Sequence, residues 1–97
     1  MKYNIACRNR RYGGRTYVGE GYNSVGEIYQ KKGSFDSSLY AFRKGEQINR
    51  EQNNVSDLGF SYSDLSHLFL TTKKTDTSLF YARKSLETFK GVVFLGE

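Results

Sequence analysis

Residues 19–48 read GEGYNSVGEIYQKKGSFDSSLYAFRKGEQI, and residues 59–88 read GFSYSDLSHLFLTTKKTDTSLFYARKSLET. The second stretch lies forty residues after the first and aligns with it without a gap. Identities include Gly19/Gly59, Tyr22/Tyr62, Asp36/Asp76, Ser38/Ser78, Leu39/Leu79, Arg43/Arg83 and Lys44/Lys84. Val18/Leu58, Val25/Leu65, Ile28/Leu68, Tyr29/Phe69 and Tyr40/Phe80 keep apolar character in register. An internal repeat of this length sets the frame for every other reading.

Within each unit the apolar spacing is helical. Val18, Tyr22, Val25, Ile28 and Tyr29 advance by four, three, three and one, which is one stripe of a 3.6-residue helix. Leu58, Tyr62, Leu65, Leu68 and Phe69 repeat that stripe. The second half of each unit continues it with Leu39, Phe42 and Ile48, then with Leu79, Ala82, Leu86 and Phe89. Between the halves, Gly33 suits the left-handed position that ends a helix, and Ser34 or Asp36 can cap the next one. The second unit has Lys73 where Gly33 stands, at a cost of roughly 1 kcal/mol or more if the turn keeps its shape. The chain has no proline to interrupt a helix. Only Val92-Val93-Phe94-Leu95 resembles a strand, and it reads equally as the cut end of a following helix.

These features predict an all-α fold, an α-α superhelix of antiparallel helix pairs. The expected organisation is a single domain over 1–97. It divides into the end of a preceding helix at 1–12, a first repeat at 17–52, a second at 56–90 and a tail at 91–97.

The spacings resemble the tetratricopeptide repeat, whose pattern is W-x2-L-G-x2-Y, then A-x3-F, then P. Tyr22-x2-Val25-Gly26-x2-Tyr29 and Ser38-x3-Phe42 follow it in the first unit. Tyr62-x2-Leu65-Ser66-x2-Phe69 and Ser78-x3-Ala82 follow it in the second. Small residues at 26, 38 and 45, and at 66, 78 and 85, allow close approach of helix axes. The period of forty rather than thirty-four and the missing proline depart from the pattern. They make the chain similar to the extended repeats of bacterial regulators and sensors.

The resemblance implies a protein- or peptide-binding scaffold without enzymatic activity or cofactor, the sensory or adaptor part of a bacterial regulatory protein. It places the partner on a concave face formed by the first helices, at Asn23, Glu27, Gln30, Lys31, Ser63, His67, Leu70 and Thr71. Tetratricopeptide repeats that grip a C-terminal carboxylate use a Lys and an Asn in the first repeat. Asn23 and Glu27 stand there instead, and Glu27 would repel a carboxylate. Two repeats leave both stack ends apolar, so self-association through those ends is a second expected use.

Composition narrows the alternatives. Ninety-seven residues with eight Tyr and seven Phe suit one modest core. The formal charge of +5 is concentrated: residues 1–16 hold Lys2, Arg8, Arg10, Arg11 and Arg15 and no acid. With Tyr12 and Tyr17 interleaved, that segment supports a second reading, a nucleic-acid-binding helical module. The remaining residues balance ten basic against ten acidic groups, which weighs against a nucleic-acid groove. A single cysteine, Cys7, cannot form an internal disulfide, and with one histidine it cannot complete a zinc site. Gly19-x-Gly21 is followed by Ser24 where a dinucleotide loop needs its third glycine, and no Gly-Lys-Ser/Thr occurs. Asn54-Val55-Ser56 has glycosylation spacing, but the N-terminal residues lack the apolar core of a secretory signal. No apolar run reaches the length of a membrane helix, and a cytoplasmic location is expected.

Overall fold

The computed structural model describes residues 17–94. They form four helices: α1 (Val18–Lys31), α2 (Phe35–Glu51), α3 (Val55–Thr71) and α4 (Thr75–Phe94). The expected helix end at 1–12 lies outside the described residues. Val92-Val93-Phe94 belongs to α4, so the helix runs into the stretch read from sequence as a tail.

The forty-residue period is visible in the turns. Gly33 has φ +84° and its counterpart Lys73 has φ +66°, while Asn53 between the hairpins has φ +55°. In each turn a backbone N–H closes back onto the helix it leaves: Ser34 to the Tyr29 carbonyl (2.9 Å), Asn54 to Asn49 (2.9 Å) and Lys74 to Phe69 (2.8 Å). These bonds satisfy carbonyls that a helix end leaves open. Ser34 stands at the N-cap of α2 but makes no side-chain capping bond, contrary to the sequence expectation. Lys73 bears the Cβ strain of the left-handed region. Lys73→Gly is therefore expected to raise stability by about 0.5–1 kcal/mol, the strain relieved less the added freedom of an unfolded glycine. Urea unfolding would measure it, and an unchanged or lowered midpoint would show that the turn is unstrained.

Helices pair as hairpins, α1 with α2 and α3 with α4, and α2 joins the two pairs by packing on α3. The first helices α1 and α3 also touch, whereas α2 and α4 do not. Contact on one side and separation on the other bend the stack, with α1 and α3 on its inner side.

Small residues set these approaches. A Cβ at Gly26 would lie 2.5 Å from the Phe42 ring, so the glycine is what admits the fully buried phenylalanine. Ser38 donates its hydroxyl to the Gly26 carbonyl (2.8 Å). In the second hairpin, Ser78 donates to the Ser66 carbonyl (2.7 Å) and Ser85 to the Gly59 carbonyl (3.0 Å). Phe42 forms the core with Leu65, Leu68 and Phe69, with Leu39 and Tyr81 packed against it. Tyr81 stacks on Phe69 at 5.7 Å between ring centroids.

The apolar stripes do not all become core. Tyr62, Leu65, Leu68 and Phe69 of α3 are buried, but Val18, Val25, Ile28 and Tyr29 of α1 are exposed. Leu79 and Leu86 of α4 are exposed as well. The reason is position: α3 has neighbours on each side, whereas α1 and α4 are the outermost helices of the described stack.

Candidate functional site

The inner side of the stack holds a cleft of about 280 Å³ between α1 and α3. Its walls are Glu20, Asn23, Ser24 and Glu27 from α1, and Asp57, Phe60 and Asp64 from α3. Helical spacing produces this lining. Residues 20, 24 and 27 share one face of α1, and 57, 60 and 64 share the opposing face of α3. Four of the seven lining residues are acidic, although the chain as a whole is basic.

Asn23 forms the floor. It is buried, and its Nδ2 donates to Ser61 Oγ at 3.0 Å, where Asn49 Nδ2 also donates at 3.0 Å. This corrects its assignment as an outward, partner-facing residue. Asn23 lies on the small-residue side of α1, one turn from Gly19 and Gly26, and that side faces the neighbouring helices. Asn49 Oδ1 is buried without a hydrogen-bond partner, in the space left by Gly19. The resulting polar seam ties α1, α2 and α3 together, and buried amides of this kind specify alignment at some cost in stability.

Asp64 is half-buried beside Glu27. Burial, and secondarily the Glu27 charge, pushes its carboxyl up to about 7. Among the described residues no ion pair reaches Glu20, Glu27 or Asp64, while Asp57 accepts a hydrogen bond from Asn54 Nδ2 at 2.8 Å. A folded-state pKa above the unfolded value means that the folded protein holds the proton more tightly. Asp64 therefore costs nothing below about pH 4 and exerts its full penalty above about pH 7. Asp64→Asn is expected to stabilise the protein at pH 8 by about 1–2 kcal/mol, after discounting for the exposed part of the carboxyl. The gain should fade as pH drops towards 4; thermal unfolding at both pH values tests this, and a gain independent of pH would contradict it.

Beyond the cleft the same groove continues as a hydrogen-bonded cluster. Gln30 Nε2 lies 2.9 Å from His67 Nδ1 and donates to Thr71 Oγ1 at 3.3 Å, so the imidazole Nδ1 accepts when Gln30 donates. The structure thus brings together Gln30, His67 and Thr71, and sets Glu27 in the acidic cleft. Lys31, Ser63 and Leu70 are exposed but do not line the cleft, because Ser63 and Leu70 each sit one residue off the face of α3 that meets α1. Sequence reasoning missed Glu20, Ser24, Asp57, Phe60 and Asp64. The available signal was the seven-residue spacing of Asp57 and Asp64, matched by that of Glu20 and Glu27.

On the outer side a larger cavity of about 540 Å³ separates α2 from α4 over Tyr62 and Leu65. Among its charged residues, Glu46, Arg50 and Lys84 are already engaged. Arg50 pairs with Glu46 at 3.1 Å, Tyr62 donates to Glu46 at 3.0 Å, and Lys84 lies 5.3 Å from the Tyr62 ring centroid. Burial and the bond to Glu46 push the Tyr62 hydroxyl up to about 12.

Among the described residues no group of three or more His, Cys, Asp or Glu side chains is placed to hold a metal ion. None of the described helices is long and apolar enough to cross a membrane. Comparison of the chain with protein families, with curated proteins and with solved structures finds no match.

Proposed function

We propose that the groove between α1 and α3 binds a peptide segment of a protein partner, and that the acidic cleft receives a lysine or arginine side chain of that segment. The observation that carries this reading is the set of carboxylates lining a cleft in which, among the described residues, Glu20, Glu27 and Asp64 have no ion pair. A guanidinium or ammonium entering it would supply the missing charge. Phe60, exposed and braced edge-on by Phe89 at 5.1 Å, offers a ring face for the aliphatic stem or the cation. Gln30, His67 and Thr71 lie further along the groove and can meet the backbone of an extended segment. Preformed helical walls reduce the ordering cost of binding. The reading extends the tetratricopeptide resemblance and suits a scaffold or adaptor in a regulatory protein. It also opposes nucleic-acid binding on this face, since carboxylates repel phosphate.

Fluorescence anisotropy with short labelled peptides tests it. A peptide with Lys or Arg should bind, and its Glu-substituted counterpart should not. Glu27→Gln should weaken binding about tenfold, as loss of a partly desolvated charge pair costs around 1–2 kcal/mol. Because a bound cation favours ionised Asp64, binding should release a proton near neutrality, and affinity should rise about tenfold between pH 5.5 and 8. Equal binding of basic and acidic peptides, or an affinity that falls over this range, would remove the proposal.

A further inference from the structure

We infer that the outer cavity between α2 and α4 takes a small anion that carries a planar ring, with the anionic group held by Arg43 and Lys84 and the ring laid against Phe80. This site lies on the side of the stack opposite the peptide groove and works independently of it.

The two cavities of the described residues differ in sign. The inner cleft is lined by acidic residues and no cation, whereas the outer one sets Arg43, Arg50 and Lys84 against Glu46 and Glu51. Its carboxylates are committed within α2 and α3. Glu46 holds Arg50 and the Tyr62 hydroxyl, and Glu51 accepts a hydrogen bond from Gln47 Nε2 at 3.0 Å. Among the described residues neither Arg43 nor Lys84 lies within ion-pair distance of a carboxylate. Arg43 comes from α2 and Lys84 from α4, so each hairpin brings one cation without a counter-charge to the same space. Guanidinium and ammonium groups both donate to phosphate or carboxylate oxygens, and an anion between them would be bonded from two sides.

Aromatic rings supply the rest of the lining. Tyr81 is stacked on Tyr62 at 6.2 Å between ring centroids and meets Phe80 edge-on at 5.1 Å. Tyr62 is buried and Tyr81 half-buried, but Phe80 is 56% exposed. Packing thus fixes two rings and braces a third that keeps much of its surface open to the cavity. Lys84 Nζ lies 5.6 Å from the Phe80 ring centroid. A flat ring stacked on Phe80 would therefore carry an anionic substituent within reach of Lys84, and offset stacking adds affinity beyond the area it buries. The volume of about 540 Å³ is that of a small-molecule site, and an inorganic ion would leave most of it unfilled.

Chemical-shift titration of the isotope-labelled full chain, with phenyl phosphate as the probe, tests the site. Phenyl phosphate should move the amide signals of Arg43, Phe80 and Lys84. It should bind about fivefold more tightly than cyclohexyl phosphate, which has the same charge and no planar ring. Arg43→Gln and Lys84→Gln should each weaken binding about fivefold, and Lys84→Arg should retain it. Phe80→Leu changes an exposed side chain and should stay folded; it should lower phenyl phosphate to the level of cyclohexyl phosphate and leave inorganic phosphate unchanged. None of these residues lines the inner cleft, so basic peptides should bind the variants as before, and the two sites can fail separately. Equal affinity for the two esters would remove the ring from the proposal and overturn it. Shifts confined to the basic stretch at residues 2–15, or affinity unchanged in both glutamine variants, would show an anion held elsewhere and reject the cavity.

Discussion

Phe42→Ala is expected to destabilise the protein by about 3–5 kcal/mol, the cost of removing a fully buried aromatic from a site that cannot collapse. Phe42 has no solvent exposure and joins both hairpins. On one side its ring lies over Gly26 of α1; on the other it packs with Leu65, Leu68 and Phe69. The loss should be cooperative, because the interface between hairpins is small and Phe42 is its largest fully buried side chain. Marginal stability of about 5–15 kcal/mol means that much of the folded population is at risk. Equilibrium urea unfolding followed by circular dichroism would show the midpoint collapse. A loss below about 1 kcal/mol would show that the ring is not central to the core.

Gly45→Val should be the second large effect, for a different reason. A Cβ at residue 45 would lie 2.9 Å from the Gly19 carbonyl oxygen and would crowd the Asn23 amide. The first contact is with backbone, so no rotamer change relieves it, and α1 must move away from α2. Displacing Asn23 also breaks its bond to Ser61 at the floor of the cleft. Overpacking of this kind costs about 1–3 kcal/mol, and the lost buried hydrogen bond places the variant at the upper end. The cleft should be lost with it, so basic peptides should bind weakly even where the variant stays folded. Gly21→Ala serves as the control. Nothing lies within 4 Å of the added methyl, and alanine's helix propensity should raise stability by about 0.5–1 kcal/mol. Equal behaviour of the two variants would remove helix approach as the role of Gly45.

The helices and turns were legible in the sequence because they are written twice. Gly33 and Lys73 mark the same turn, and the apolar steps from Tyr22 to Tyr29 recur from Tyr62 to Phe69. Burial was not legible from the same pattern. Identical stripes have different fates according to whether another helix lies beside them, as Val25 and Leu65 show. The candidate site was legible in part. Glu27 was placed on the inner side from the family resemblance, and Gln30, His67 and Thr71 do converge in the groove. Asn23 was misread because a polar residue on an amphipathic helix is assigned to solvent by default. Its burial depends on Ser61, thirty-eight residues away. Asp64 was missed because its perturbed carboxyl arises from packing between hairpins, which periodicity within one helix cannot express.

The close fit of Gly26 to Phe42 also bears on the fidelity of folding. A repeated sequence invites its own helices to exchange partners, and misassembly between like units is a known hazard of repeat proteins. At the counterpart positions the second hairpin carries Ser66 and Ala82. Pairing α3 with α2 as a hairpin would set the Ser66 side chain where only a glycine leaves room for the phenyl ring. Pairing α1 with α4 would set Gly26 against Ala82 and leave a void. Both wrong pairs are penalised, one by collision and one by emptiness. Each hairpin therefore carries a size code that tells two similar halves of the chain apart while they fold.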